Sequence, residues 1–314
     1  MIVTLTANPS LDRTVALREA LRAGEVQTAA SVREDAGGKG INVTRVLCGS
    51  GVDSVAVLPL DAEDPFALVL RADGVPTSPV AMHGVARANL TIADPAGVTT
   101  KINLPGVARS AADGAALIDA VVAASRDARG LVLAGSLPPG LPDSFYVEVI
   151  GAVRAASETP PRIAVDTSGP ALRAVVDAGV ADLIKPNDEE LAELAGVALD
   201  PAAPLADAVA AVAASLVPTR VRAAFVTLGG EGAVLVTAGG VWHGSPPPTR
   251  VRSTVGAGDS SLAGFLLAES RGADPQECLR SGIRYGSAAA ALPGTQAPTP
   301  ADLLPGDVPV RPIP

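Results

Sequence analysis

Aromatic side chains are scarce in this sequence of 314 residues, in which Phe, Tyr and Trp make up 2%. Apolar residues still reach 48%, so a core must be built from Ala, Val and Leu. The two cysteines, Cys48 and Cys278, are too few for a disulfide framework. Neither lies at a metal-binding spacing from His83 or His243. These shortages exclude a disulfide framework and argue against a metal site built from these cysteines and histidines.

Positive charge is also short, because 24 Lys and Arg face 33 Asp and Glu, giving a net charge of −9. Nucleic acid and anionic membrane surfaces both require a basic footprint, so we expect neither as a partner. No apolar run approaches the roughly 18 residues of a membrane span. The N-terminal run Met1–Thr6 has no basic leader. The sequence therefore predicts a soluble, cytoplasmic protein.

A glycine-rich turn, Thr254–Ser260 (TVGAGDS), precedes the apolar run Leu262–Leu267, which is typical of a helix. A strand is predicted just before the turn, over Thr249–Arg252. Backbone N–H groups bared at such a helix start bind anions. Asp259 is anomalous there, because a carboxylate repels an anion. It either caps the helix or accepts a proton from an attacking hydroxyl, and the residues alone leave both open.

A second glycine-rich turn, Gly37–Val43 (GGKGINV), also leads into a predicted helix. Its three glycines surround Lys39, so we interpret that lysine as a binding residue and not as a solvated loop lysine. The turn is not a P-loop, because Gly40 stands where Ser or Thr is required. The sequence therefore predicts two pockets for anions or hydroxyls, one near each end of the chain.

Strands and helices alternate from Ser110 onward, which predicts an α/β fold with a mostly parallel central sheet and helices on both faces. Polar groups follow several of these strands, at Gly135–Ser136, Asp166–Ser168 and Lys185–Asn187. Because the carboxyl ends of parallel strands share one edge, we expect a ligand site there. Asp12 follows the first predicted strand, either as a sugar-binding carboxylate or as an Asx-turn residue.

Two segments, roughly residues 12–34 and 83–105, carry short alternating patterns of apolar and polar residues. Such patterns are typical of strands with one solvated face. We interpret these segments as a small β-sheet that forms a lid over the single main domain, residues 1–314. An exposed edge on this sheet would allow two copies to pair as a homodimer.

Two further motifs have both a structural and a functional interpretation. Asn187 followed by Glu190 fits a helix capping box, and the same oxygens could hold Mg²⁺ through water. The run Phe225–Val236 fits a plain hairpin, and its glycine-rich turn could let a nucleotide lie against the backbone.

The two glycine-rich turns together, Gly37–Val43 and Thr254–Ser260, resemble the two signatures of the PfkB (ribokinase-like) carbohydrate kinases. The resemblance spans nearly the whole chain and implies a ribokinase-like fold. Within the family it is strongest to the bacterial 1-phosphofructokinases. It is carried by Asn8–Val15, Gly135–Gly140, Val165–Gly169, Ile184–Asn187, Arg87–Asn89 and the lysine of the first turn. Tagatose-6-phosphate kinases and minor 6-phosphofructokinases share much of this pattern.

The resemblance implies a role for each matching residue. Asp259 would be the base for the acceptor hydroxyl. The anion hole for the transferred phosphoryl group would be formed by Gly256, Ala257 and Gly258. The sugar phosphate would be bound by Asp12, Gly38, Lys39, Asn42, Arg87, Asn89 and Ser136. ATP would be bound by Lys185, Thr227, Gly229 and Gly232. Mg²⁺ would be organised indirectly by Asn187 and Glu190.

The activity implied is MgATP-dependent phosphorylation of the 6-hydroxyl of fructose 1-phosphate. Tagatose 6-phosphate and fructose 6-phosphate are alternative substrates within the same family. A sensor that binds a sugar phosphate or nucleotide without turnover is an alternative from a different class. A dinucleotide-binding oxidoreductase fits less well, because the fingerprint around Gly256 lacks its last glycine.

Overall fold

Strands and helices alternate through the computed structural model, which describes residues 1–96 and 98–314. The helices are α1 (Lys39–Gly49), α2 (Pro65–Ala72), α3 (Ala111–Ala124), α4 (Phe145–Ala155), α5 (Gly169–Ala178), α6 (Asp188–Ala195), α7 (Leu205–Ala214), α8 (Ala257–Ser270) and α9 (Pro275–Ala291). The strands are β1 (Ile2–Leu5), β2 (Ser10–Leu17), β3 (Ala29–Gly37), β4 (Ser54–Leu60), β5 (Thr77–Ala81), β6 (Arg87–Ala93), β7 (Thr99–Asn103), β8 (Gly130–Ala134), β9 (Arg162–Asp166), β10 (Leu183–Ile184), β11 (Ala223–Thr227), β12 (Ala233–Thr237), β13 (Gly240–Gly244) and β14 (Val310–Pro312).

The main sheet contains, among the described residues, ten strands in the order β14-β13-β12-β11-β10-β9-β8-β1-β4-β5. Pairing is parallel from β11 through to β5, and antiparallel from β11 outward to β14. The predicted α/β class, with a mostly parallel sheet, is therefore confirmed. The carboxyl ends of β1, β8, β9 and β10 meet at one edge of this sheet.

Helices cover both faces of the sheet, and alternate residues of each central strand face opposite cores. In β8, Leu131 and Leu133 pack in the core under α3 to α7, whereas Val132 and Ala134 pack in the core under α1, α8 and α9. Aliphatic residues dominate both cores, as the composition predicts. Among the described residues, no helix combines the length and apolar character needed to cross a membrane.

A second, four-stranded sheet has the order β3-β2-β6-β7. Strand β2 pairs antiparallel with β3 and parallel with β6, so that Asp12 lies between Asp35 and Asn89 while Val15 lies between Val32 and Ile92. Because side chains alternate along a strand, one face of the small sheet is polar and the other is apolar. Its strands overlap the two segments interpreted as a lid, but they begin earlier, at residue 10, and continue to residue 37.

The predicted strand over Thr249–Arg252 is wrong, because the structure has irregular backbone there. Three prolines, Pro246–Pro248, precede the segment and remove the N–H groups that a ladder needs. The backbone N–H groups of Arg252 and Ser253 instead donate to the carbonyl of Ala290, at the end of α9. The turn before α8 is thus fixed by α9 and not by the sheet.

Candidate active site

The first glycine-rich turn is anchored on β1, beneath the start of α1. The Thr4 hydroxyl donates to the Gly40 carbonyl at 2.9 Å, and Thr6 Oγ1 accepts from the N–H of Ile41 at 3.1 Å. Gly38 has φ 134°, and a Cβ there would lie 2.6 Å from Thr6 Cγ2. Only glycine fits this position, so the turn can press closely against the carboxyl end of β1.

Two lysines flank one buried carboxylate at the same edge of the sheet. Lys39 Nζ lies 2.7 Å from Asp166 Oδ1, and Lys185 Nζ lies 3.2 Å from Asp166 Oδ2. Burial alone would raise the pKa of Asp166, but the charges of Lys185 and Lys39 outweigh it and hold that pKa below its ordinary value. Lys185 also approaches the second turn, since a Cβ on Gly258 would be 3.3 Å from its Nζ. The ammonium group of Lys185 thus faces the anion turn.

Lys39 itself keeps its proton firmly. Burial would lower the pKa of this ammonium group, but the carboxylates of Asp166 and Asp259 together raise it well above its ordinary value. Lys39 therefore acts as a fixed cation and not as a proton carrier.

Asp259 lies in the first turn of α8, close behind Gly256, but it does not cap the helix. The N-cap position is Gly256, with φ 75°, and no side chain caps it. Asp259 instead accepts a hydrogen bond from Asn42 Nδ2 at 2.8 Å, across to α1. The capping interpretation of this residue is therefore wrong.

The Asp259 carboxyl group is buried and has a perturbed proton affinity. Burial raises its pKa to about 6, and the negative charge of Asp166 acts in the same direction. Lys39, the Asn42 hydrogen bond and Lys185 oppose this rise. A carboxylate poised near neutral pH beside an anion-binding turn is suited to general base chemistry.

The polar face of the small sheet contributes a second carboxylate. Asp12 Oδ1 accepts from Ser10 Oγ at 2.7 Å and from Asn89 Nδ2 at 2.9 Å. Burial raises the pKa of Asp12, against the opposing effects of these hydrogen bonds and of the Arg87 charge. Among the described residues, nothing donates a hydrogen bond to the buried Oδ1 of Asn89. This group of oxygens is suited to binding the hydroxyls of a sugar.

Arg87 and Ser136 are linked through Asn8, which follows β1. Arg87 Nε donates to the Asn8 carbonyl at 3.4 Å, and its Nη1 donates to the Leu104 carbonyl at 3.1 Å. Asn8 Nδ2 donates to Ser136 Oγ at 3.3 Å. The charge of Arg87 also acts to lower the pKa of Asp12, so a cation lies close to this carboxylate.

Asn187 and Glu190 form the predicted capping box at the start of α6. Asn187 Oδ1 accepts from the Glu190 N–H at 2.7 Å, and Glu190 Oε2 accepts from the Asn187 N–H at 2.9 Å. The capping interpretation is thus confirmed. The charge of Glu190 also contributes to the raised pKa of Lys39, so this carboxylate lies near the same site.

The predicted hairpin over Phe225–Val236 is confirmed as β11 and β12 with a short turn of 3₁₀ helix, Gly229–Glu231. The Thr227 N–H donates to the Pro186 carbonyl, which ties the hairpin to the loop after β10. Gly229 and Gly232 both have positive φ, and their hydrogen bonds stay within the hairpin turn.

Two residues of this cluster had no individual role assigned from sequence, Asn8 and Asp166. From the sequence, Asp166 is only a polar residue that follows a strand, because its pairing with two lysines depends on the strand order. The structure brings together Lys39, Asn42, Lys185, Asp259 and the second turn in one group, and Asp12, Arg87, Asn89 and Ser136 in an adjoining one.

Comparisons with known proteins agree on the family and the fold of this chain. The sequence profile of the pfkB family carbohydrate kinases matches residues 6–302. The 1-phosphofructokinase of Rhodobacter capsulatus is 35% identical, over 95% of this chain and 93% of the relative. The ATP-dependent 6-phosphofructokinase isozyme 2 of Escherichia coli is 33% identical, over 94% of each chain. The structure of phosphofructokinase-2 from Escherichia coli in complex with fructose-6-phosphate superposes with a TM-score of 0.86 at 29% identity, over 96% of each chain. This chain belongs to the pfkB family of carbohydrate kinases.

Proposed function

We propose that this protein is a 1-phosphofructokinase, which transfers the γ-phosphoryl group of MgATP to the 6-hydroxyl of fructose 1-phosphate. The observation that carries the proposal is the position of Asp259. It is a buried carboxylate with a pKa raised to about 6, in the first helical turn behind an anion-binding turn, with Asn42 of the other glycine-rich turn holding it. Several relatives at 32–35% identity are named 1-phosphofructokinase, which supports the substrate assignment.

The chemical step requires little from the protein beyond proton removal, positioning and charge neutralisation. Asp259 accepts the proton of the 6-hydroxyl as that oxygen forms its bond to the γ-phosphorus. The bond between this phosphorus and the β–γ bridging oxygen breaks, and ADP leaves with the bridging oxygen. The proton remains on Asp259 until solvent removes it. The products are fructose 1,6-bisphosphate, ADP and one proton.

The anion hole for the phosphoryl group in flight would be the backbone of Gly256, Ala257 and Gly258, at the start of α8. A helix start supplies N–H donors and about half a positive charge. Lys185 adds a full charge, because its ammonium group lies against Gly258. Lys39, whose ammonium group is held in place by its ion pair with Asp166, would supply a second fixed cation. These groups act on the charge that develops in the transition state.

The sugar would lie between the two groups of residues. We assign the ring hydroxyls to Asp12, Asn89 and Asn42, with Gly38 and Lys39 lining the pocket. We assign the existing phosphate of the substrate to Arg87 and Ser136, which both form a hydrogen bond with Asn8. This arrangement would aim the far end of the sugar at Asp259.

The residues present fit magnesium that is held through water and phosphate oxygens. Among the described residues, no group of three or more His, Cys, Asp or Glu side chains could form a metal cage. Glu190 Oε2 is engaged in the capping box, and no hydrogen bond from the described part of the chain occupies its Oε1. Glu190 and Asn187 would therefore orient water around the ion. When bound, Mg²⁺ would neutralise phosphate charge.

ATP would lie along the carboxyl edge, from the second turn toward the hairpin. Lys185 would contact its phosphates, whereas Thr227, Gly229 and Gly232 would line the nucleoside. The support for this is the link between Thr227 and the loop that carries Lys185.

We also propose that the small sheet acts as a lid and joins two copies of the chain in a homodimer. Its polar face carries Asp12 and Asn89, whereas its apolar face includes Val32 and Ile102, with 56% and 48% of their surface exposed. Strand β7 is exposed along its whole length and forms an edge of the sheet. An apolar face and an edge of this kind suit a second copy of the same sheet.

The test of substrate identity is ADP release with MgATP and matched low concentrations of three sugar phosphates. Fructose 1-phosphate should exceed fructose 6-phosphate and tagatose 6-phosphate by about tenfold or more in kcat/KM, equivalent to about 1.4 kcal/mol. A higher kcat/KM for either 6-phosphate would change the substrate assignment but not the proposed chemistry. Binding of all three without ADP release would favour a sensor.

A further inference from the structure

Asp259 is connected to the outer surface of α1 by a chain of side-chain hydrogen bonds. Asn42 Nδ2 donates to Asp259 Oδ2 at 2.8 Å, and Asn42 Oδ1 accepts from Arg45 Nη1 at 2.8 Å. Arg45 Nη2 donates to the Ala36 carbonyl and to Asp73 Oδ2, each at 2.8 Å. The chain therefore runs from the reaction centre through one amide to a guanidinium group that three acceptors hold.

From this geometry we propose that Arg45 is a positioning residue, which fixes the amide of Asn42 so that its N–H group points at Asp259. The inference rests on the proposed role of Asp259 as the base. It adds a residue that has no contact with the reacting atoms and acts on them through Asn42.

The two ends of an asparagine amide differ in their hydrogen bonding. A 180° flip exchanges its carbonyl oxygen, which only accepts, and its NH₂ group, which only donates. An ionised carboxylate only accepts, and a guanidinium group only donates. In the observed orientation both neighbours of Asn42 are satisfied. In the flipped orientation the carbonyl would face the Asp259 carboxylate and the NH₂ group would face Arg45, so both contacts would be repulsive.

Arg45 suits this task because of its place on the helix and its chemistry. It follows Asn42 by one turn of α1, so the two side chains lie on the same side of the helix. A guanidinium group stays protonated at any working pH and presents donors in a planar fork. One nitrogen contacts Asn42, and a second contacts both Ala36 and Asp73. The donor therefore cannot switch roles or swing away.

Loss of Arg45 would leave the Asn42 amide with a single neighbour and two accessible orientations. Asp259 would then lose the hydrogen bond from the Asn42 amide for part of the time. Burial and the charge of Asp166 would still favour the protonated form of Asp259. Activity should need a higher pH, and the base should be less well aimed. Binding of MgATP, which Arg45 does not contact, should change little.

The test compares the pH dependence of kcat and kcat/KM for wild type, Arg45→Met, Asn42→Ala and the double variant. Arg45→Met should shift the acid limb of the pH–rate profile, where activity falls as the pH falls, to higher pH by about half to one unit. It should also lower kcat at neutral pH by about tenfold. In the Asn42→Ala background the same substitution should move the limb no further, because its target is gone. The phosphate group of the substrate titrates identically in every assay, so a difference in the acid limb between variants arises from the protein.

Arg33→Met is the matched control for charge. Arg33 lies on the same outer groove as Arg45, but its guanidinium group pairs with Asp35 and not with Asn42. It should leave the acid limb in place. An equal shift in Arg33→Met, or a shift by Arg45→Met that persists without Asn42, would show a general charge effect and overturn the proposal. No shift in Arg45→Met would overturn it as well.

Thermal unfolding shows whether Arg45→Met is folded. If it is not, Arg45→Lys serves in its place, because an ammonium group keeps the charge but lacks the fork. Its acid limb should move in the same direction by a smaller amount, and an unmoved limb would contradict the proposal. A wild-type profile without an acid limb, or turnover retained in Asp259→Asn, would instead refute the proposed function itself, and the role of Arg45 would fall with it.

Discussion

Lys39 and Asp166 form an ion pair of 2.7 Å that joins the first glycine-rich turn to the end of β9. Lys185 binds the other oxygen of the same carboxylate. Because Asp166 holds both cations, it fixes the positive charge that faces the anion turn of α8. Asp166 therefore shapes the electrostatics of the site without needing contact with substrate.

Asp166→Asn should destabilise the protein by about 3 kcal/mol, because it leaves two cations close together without their shared counter-ion. The measurement is urea unfolding at neutral pH. Asp177→Asn is the control, since Asp177 pairs with Arg220 on the surface, where both side chains are about half exposed. That change should cost less than about 1 kcal/mol. Equal losses in the two variants would contradict the proposed importance of the Asp166 pairing.

Asp259→Asn should stabilise the protein, and more so at higher pH. Burial and Asp166 raise the pKa of Asp259 from 3.8 to about 6, so the folded state binds this proton more tightly than the unfolded state. Below pH 3.8 both states are protonated and the wild type carries no penalty. The penalty grows as the pH rises toward about 6 and then stays constant, at about 3 kcal/mol. Urea unfolding at pH 5 and pH 8 should show a larger gain for the variant at pH 8. A variant less stable than wild type at pH 8 would contradict the raised pKa.

Arg87→Ala should raise KM for the sugar phosphate by about tenfold or more and lower kcat less, because Arg87 is assigned to ground-state binding of the existing phosphate. Its guanidinium group is held by the carbonyls of Asn8 and Leu104, so it presents a fixed cation to the pocket. Steady-state kinetics with varied fructose 1-phosphate provides the measurement. Arg220→Ala, which removes a distant surface charge, is the control. Unchanged kinetics in Arg87→Ala would exclude that assignment.

Ile102→Lys should convert a dimer to a monomer, because it places a charge on the apolar face of the small sheet, within its exposed edge strand β7. Sedimentation velocity at micromolar concentration distinguishes the two states. Val197→Lys is a matched control on another exposed apolar residue, which lies just after α6. It should leave the sedimentation coefficient unchanged. A wild-type monomer, or a dimer that survives Ile102→Lys, would refute pairing through this face.

Local patterns were sufficient to predict most elements of the main sheet and both glycine-rich turns. The starts of α1 and α8 carry glycines next to apolar runs, and the capping box of Asn187 and Glu190 is complete within four residues. Near neighbours in the chain signal such features, so the sequence alone was sufficient to indicate them.

Tertiary contacts determine the features that local sequence patterns could not predict, such as the role of Asp259 and the pairing of Asp166. Asp259 could equally have been a helix cap, and only its hydrogen bond from Asn42, which is 217 residues away, distinguishes the two roles. Lys185 meets Asp166 because β10 pairs with β9, whereas Lys39 reaches it from the turn that is anchored on β1, two strands away in the same sheet. The strand predicted over Thr249–Arg252 failed because its hydrogen-bond partner is the end of a helix, which no local pattern indicates.

The role of Asp259 as the base is tested by the rate of ADP release with MgATP and saturating fructose 1-phosphate in wild type and Asp259→Asn. The amide keeps the size of the carboxylate but cannot accept the proton of the hydroxyl. We expect kcat to fall by about a thousandfold, within the usual range for loss of a general base, while KM for both substrates changes little. A variant that retains turnover within about threefold of wild type would show that Asp259 is not the base and would contradict the account.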